Sequence, residues 1–308
     1  MLRRCVLLVL LLLSAACSRI AARSERIMIG VSTLRISLPV FVAAEQGLFA
    51  KRGLAVDLKR FDTAQPLADE LGAGRIDAGG YVAFPILFAS GAAAPRLRVV
   101  TAIVEDATHP VSYFLVKKGS GLRGVASLAG RKIGILPTVA YRNWLEAILH
   151  HDGVGLDEVT ILPVAPAMEI DSLAAGGIDA LFTGDPMATA ALARGVAEPL
   201  TDSPDVPRVL GDPFLFGAFA MTEDFVTRRP AQARALRDAL DEAIGMIAAD
   251  PAVGRAAMAP YVRETERPFI DHYPAARYLR SSEVTVAQLD QALQLCGATS
   301  SGADIAAP

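Results

Sequence analysis

Apolar and polar positions along this chain alternate between two periods. Short apolar runs of strand length, at residues 27–31 and 132–136, each end in turn formers. A helix-period pattern of about ten residues follows each run and stops at glycine. Second strands are predicted at 56–58 and 159–162. Helices through 67–71 and 170–173 then end at Gly72 to Gly74 and at Gly176 and Gly177. The turns deliver residues 76–78 and 178–182 as third strands. Strand, helix, strand, helix, strand predicts a parallel α/β unit, and the chain spells it twice.

The two units also share letters. Leu71-x-Ala73-Gly74-x-Ile76-Asp77-Ala78 returns as Leu173-x-Ala175-Gly176-x-Ile178-Asp179-Ala180, 102 residues later. Ile29-Gly30-Val31 is answered by Ile133-Gly134-Ile135 at an offset of 104. Because Asp77 and Asp179 recur at equivalent places, a structural task common to both units is expected of them. Two apolar runs, 111–116 and 216–221, flank the second unit and read as long strands connecting the lobes. The expected organisation is lobe one from 27–110 and 217–308, with lobe two, 111–216, inserted into it. The pattern at 230–250 is an amphipathic helix with Leu236, Leu240, Ile244 and Ile247 on its buried face. Its Arg234, Arg237, Asp238, Asp241 and Glu242 read as a solvated face.

Length and composition narrow the picture. The chain has 308 residues, 52% of them hydrophobic and 20% charged, which suits two globular lobes. A net charge of −3 offers no basic surface for nucleic acid. Residues 78–95 hold no Asp, Glu, Lys or Arg, but Gly79, Gly80, Pro85 and Gly91 break the run, so it reads as buried structure, not a membrane span. The start differs: Arg3 and Arg4, an apolar stretch at 6–13, then Ser14-Ala15-Ala16-Cys17. A basic start, a short apolar core and small residues mark an export signal at 1–16. Cysteine right after Ala16 resembles a bacterial lipoprotein signal, which implies lipid on Cys17, a linker over 17–26 and anchorage to a membrane facing the periplasm or cell surface. Loss of the signal leaves 28 basic against 33 acidic side chains, a charge of −5. Only Cys296 then remains as a thiol, so no intramolecular disulfide is available.

Family resemblance appears in Leu38-Pro39 through Glu45-Gln46-Gly47-Leu48-Phe49, followed by Gly53-Leu54 and Val56. It continues in the two Ala-Gly-x-Ile-Asp motifs and in Ser127-Leu128-Ala129-Gly130-Arg131-Lys132-Ile133-Gly134. Together these resemble ABC-transporter substrate-binding proteins of the nitrate/sulfonate/taurine/thiamine-precursor family, over roughly residues 27–250. The resemblance implies a type II periplasmic binding fold: two Rossmann-like α/β lobes on two hinge strands. Such a protein closes on a small molecule and passes it to a permease driven by an ATPase. A related biosynthetic enzyme of pyrimidine-precursor or menaquinone type, and a sensor without transport, are the alternatives.

Parallel sheets bind ligands beyond the carboxyl ends of their strands, so the interlobe cleft is the expected site. Lobe one offers Thr33, Arg35 and Ser37 after its first strand and Tyr81 after its third. Lobe two offers Thr138 and Tyr141 near a helix start and Asp185 after its third strand; the connections add His109 and Phe216. Arg35 suits a sulfonate or carboxylate, and Asp185 an amine or ring N–H. Tyr81 can stack on a ligand, and Thr138 reads as a helix cap. His109, beside Pro110, reads foremost as a hinge hydrogen-bonding group. The expected ligand is a small polar organic molecule or anion. Trp144 shares a helix face with Leu145 and Ile148 and reads as core. His150 and His151 sit together at a helix end, and no nucleophile elbow, phosphate loop or zinc-helix motif appears. No metal, no cofactor, no catalytic residue and a monomeric state are therefore expected.

Overall fold

The computed structural model describes residues 26–88, 96–298 and 300–307. The export signal, Cys17 and most of the linker lie outside the described residues. In the 78–95 run, the described part is a buried strand and a short helix, Phe84–Phe88.

Two β-sheets carry the chain. The first contains β1 (Ile27–Ser32), β2 (Val56–Phe61), β3 (Ala78–Ala83) and β4 (Leu97–Glu105). The second contains β5 (Ser112–Lys117), β6 (Lys132–Ile135), β7 (Thr160–Pro163), β8 (Ala180–Gly184) and β9 (Ala197–Pro199). The chain then returns to the first sheet with β10 (Phe214–Thr222) and β11 (Arg277–Leu279). Strand orders are β11-β4-β10-β3-β1-β2 and β7-β6-β8-β5-β9. In each sheet the repeated unit supplies a parallel trio, β2-β1-β3 or β7-β6-β8. An antiparallel strand borders each trio, β10 beside β3 and β5 beside β8. The runs expected to join the lobes are thus interior strands, one in each sheet. The chain crosses between sheets in the short segments 106–111 and 211–213.

The repeated letters have repeated jobs. Both third strands start at the alanine rather than at the isoleucine two residues earlier. The preceding aspartate is occupied elsewhere: Asp77 Oδ2 accepts the Met28 N–H at 2.8 Å, and Asp179 Oδ2 accepts the Lys132 N–H at 2.9 Å. Each aspartate also donates its own N–H to the carbonyl of that same residue. Each carboxylate therefore pins the start of its lobe's first strand. Gly30 and Gly134 match as well. A Cβ there would sit 2.6 Å from Ile76 Cδ1 or 2.5 Å from Ile178 Cδ1, so only glycine lets the turn isoleucine pack on the strand.

The helix Pro230–Ala249 buries its predicted apolar face. Its acidic side is partly docked: Glu242 binds Lys51 and Arg52, and Asp241 accepts from Ser281. One main core runs through the first sheet and on across the seam to Trp144, while a smaller cluster around Leu115 and Leu173 packs the far face of the second sheet. Phe269, downstream of the helix Pro251–Met258, packs against that smaller cluster. Arg263 donates to the Pro166 carbonyl and Arg194 to the Thr265 carbonyl, so this C-terminal strap leans on the second lobe.

Candidate functional site

The loops at the carboxyl ends of both parallel trios meet at the seam, and their meeting point is an ion pair. Arg35 lies in a short 3-10 turn directly after β1, and Asp185 directly after β8. Arg35 Nε stands 2.8 Å from Asp185 Oδ2, with side chains 4% and 0% exposed. That N–H is not aligned for a hydrogen bond, so the contact is ionic. The rest of the guanidinium donates to the Pro110 carbonyl at 2.5 Å and the Pro274 carbonyl at 3.2 Å. Arg35 thus ties lobe one to a connection, to the C-terminal strap and to lobe two. Asp185 is equally engaged: Tyr113 donates to Oδ2 at 3.0 Å, and the Thr189 N–H and hydroxyl donate to Oδ1. Burial alone would lower the Arg35 pKa, but Asp185 overrides it and holds the guanidinium charged.

Beside the pair lies a cavity of about 30 Å³, room for about two waters. Leu34, Ile36, Ala83 and Ile86 wall it from lobe one, with Thr63 at its edge; Leu136, Thr138, Ala140 and Tyr141 wall it from lobe two. Val111 and Phe216 close it near the crossings. Behind the walls Trp144 packs on Phe216 and Tyr141, with ring centroids 4.6 and 5.4 Å away.

Five of the expected residues therefore converge on this cavity: Arg35, Thr138, Tyr141, Asp185 and Phe216. The other four stand apart from its walls. Tyr81, expected to stack on a ligand, is wholly buried among Phe219 and Tyr278 and bonds its hydroxyl to Thr101 at 2.8 Å. Apolar neighbours on both sides leave that ring no open face. Ser37 is enclosed too, donating to the Gly80 carbonyl and accepting the Ser32 N–H. Thr33 donates its N–H to the Phe61 carbonyl. His109 forms a hinge turn: its Nδ1 lies 2.9 Å from Asp106 Oδ1, which also takes the Thr108 N–H and hydroxyl. Despite some burial, these donors and His109 hold the Asp106 carboxyl well below the usual range.

Three further residues near the seam stand beyond the nine expected ones. Thr63 follows the carboxyl end of β2, so the strand-end rule already pointed to it; only the first and third strands were read that way. Glu105 ends β4 and accepts the Val111 and Ser112 N–H groups and the Ser112 hydroxyl across the first crossing. Burial pushes its carboxyl up to about 7 against those donors. Glu169 lies buried beside the second sheet, takes the Thr183 hydroxyl at 2.6 Å and is pushed by burial up to about 8. Nothing in local sequence separates these carboxylates from surface ones.

A two-lobed α/β fold with its cleft at paired crossings is the type II periplasmic binding fold, as solved relatives show. The alkanesulfonate-binding protein SsuA of Xanthomonas axonopodis pv. citri, bound to MOPS, aligns at a TM-score of 0.70 and 21% identity, over 88% of this chain and 90% of its own. The periplasmic nitrate-binding protein NrtA of Synechocystis PCC 6803 aligns at 0.60 and 17%, over 86% and 70%. The desulfurization enzyme DszB shares the fold at 0.63 and 18%, over 92% and 97%. By sequence, residues 21–261 match the model of the NMT1-like family, and the chain belongs to that family. Candidate binding proteins of Brucella abortus (strain 2308) and Brucella suis are 26% identical over 139 residues, 45% of this chain. That match spans 41% of the curated relatives' length.

Proposed function

We propose that this protein is the extracytoplasmic solute-binding component of an ABC importer. Lobe one (27–110 and 217–308) and lobe two (111–216) close on a small organic molecule and present it to a permease and its ATPase. Opening and closing occur about the segments 106–111 and 211–213. The observation that carries this reading is the cavity at the seam, walled by strand-end loops of both lobes and reduced to about 30 Å³. A molecule larger than water enters only when the lobes part, which is how a capture-and-release protein works. Neighbours named as sulfonate- and nitrate-binding proteins support the class. The sequence before residue 26 supports export and lipid on Cys17.

Mass spectrometry of the protein taken from its own host, without dialysis, tests both halves. Intact denatured mass is expected to show diacylglycerol on Cys17. Native mass is expected to show a small molecule bound one to one. A folded protein that is empty, and that no small molecule compacts in small-angle scattering, would refute the binding role. An unmodified Cys17 would refute the anchor alone.

A further inference from the structure

Polar groups around the cavity fall into two kinds. The ions are paired with each other: Arg35 and Asp185 meet at 2.8 Å, two further guanidinium donors go to backbone carbonyls, and both Asp185 oxygens accept from protein groups. Apart from the Arg35 Nε–H, which meets Asp185 without a hydrogen bond, the uncommitted groups among the described cavity residues are neutral hydroxyls. Thr63 precedes the helix Ala64–Gly72 without making a capping bond to it. Among the described residues the Tyr141 hydroxyl has no hydrogen-bond partner, and Thr138 accepts the Tyr141 N–H while keeping its own proton to donate. The other walls are apolar, Ile86 and Phe216 among them.

Building on the binding role above, we infer that the cleft takes an uncharged, mostly apolar small molecule carrying one or two hydroxyl, carbonyl or ring-nitrogen groups. The apolar body meets Ile86 and Phe216, and the polar group meets the hydroxyls of Thr63, Thr138 and Tyr141. An anion is disfavoured by the same geometry. Held on Arg35 in the closed cleft, it would take the guanidinium from Asp185 and leave that carboxylate buried with no cation. A zwitterion must break the pair at both ends. The helix starts at Ala64 and Val139 attract negative charge, but their N–H groups serve a neutral oxygen as well.

A matched series tests this on the full mature chain: cyclohexanol, cyclohexanone and benzyl alcohol against benzylamine, benzoate and benzenesulfonate, with nitrate and taurine added. Trp144 touches two cavity walls, so its fluorescence reports occupancy. Neutral members are expected to bind at least about ten-fold tighter than any ion, with affinity unchanged from about 0.05 to 0.5 M salt. Ala64→Leu, which fills the cavity, is expected to weaken that binding at least ten-fold; should it misfold by circular dichroism, Ile86→Phe serves the same purpose. Tighter binding of benzenesulfonate, nitrate or taurine overturns the neutral class and leaves the binding role standing. Neutral binding that both filled variants retain overturns the placement. No binding by any probe overturns the inference, and an empty native mass spectrum would then remove the binding role as well.

Discussion

Asp77 and Asp179 answer one another across the repeat, whereas Arg35 and Asp185 have no counterparts. At the repeat's own offsets, Arg35 corresponds to Val139 and Asp185 to Ala83. The two lobes are thus alike where each packs its own sheet and unlike where they face each other. A task internal to one lobe is done twice with the same residue: a carboxylate pinning the first strand, at 2.8 Å in one lobe and 2.9 Å in the other. A task between lobes needs complementary groups, so one lobe holds the cation and the other the anion. Duplication gives the fold, and departure from it marks the seam.

The sharpest way to break this comparison is to remove one member of the seam pair. Arg35→Met leaves Asp185 buried without its cation and is expected to cost about 3–5 kcal/mol in urea unfolding. Asp185→Leu should cost a similar amount. The double variant Arg35→Met/Asp185→Leu is expected to recover much of that loss, since an apolar pair of similar volume replaces the charges. Single variants costing under about 1 kcal/mol would place the pair among ordinary surface bridges, contrary to its burial.

Buried carboxylates near the seam predict an unusual pH profile. Glu169 is held near 8 and Glu105 near 7 in the folded protein, above the ordinary carboxylate range. Below about pH 4.5 both are protonated whether the chain is folded or not, and their stabilising effect is fully present. As pH rises the unfolded chain releases these protons first, so stability falls from about pH 5 until the folded values are passed near 8. Glu169→Gln, which mimics the protonated side chain, is expected to flatten this fall by about 3–4 kcal/mol. Urea midpoints at pH 5, 6.5 and 8 check it. A wild-type profile that rises over this range would mean that Glu169 is ionised in place.

What could be read in the sequence follows the same division. Strand positions, both glycine-ended helix pairs and the shared role of the two aspartates depend on local period and on a repeat visible in the letters. The cleft was legible in outline, because strand ends point to it, and five expected residues reach it. Tyr81 misled because a position after two glycines does not say which way the ring turns. Here Thr101, Phe219 and Tyr278 draw it into the first lobe. The Arg35–Asp185 pair was assembled as two halves of a ligand site, yet the halves bind each other. The lean of Phe269 on the second lobe depends on contacts about a hundred residues apart, which no local pattern encodes.

The smallest effect sharpens the comparison from its symmetric side. Asp179→Ala removes the acceptor for the Lys132 N–H and is expected to cost about 1–2 kcal/mol. Asp77→Ala does the same to Met28 but also removes the carboxylate with which Arg229 pairs. That ion pair is partly exposed and adds at most about 1 kcal/mol, so the Asp77 change should be the costlier by that margin. Asparagine separates the two contributions, because its side-chain carbonyl still accepts the strand N–H while carrying no charge. Asp179→Asn is expected to lose well under half of what Asp179→Ala loses. Asp77→Asn should lose more than Asp179→Asn at low salt, and the gap should shrink near 1 M salt as the Arg229 pairing is screened. If the gap between the asparagine variants does not change with salt, the excess at Asp77 comes from packing, and the carboxylates do the same work in both lobes.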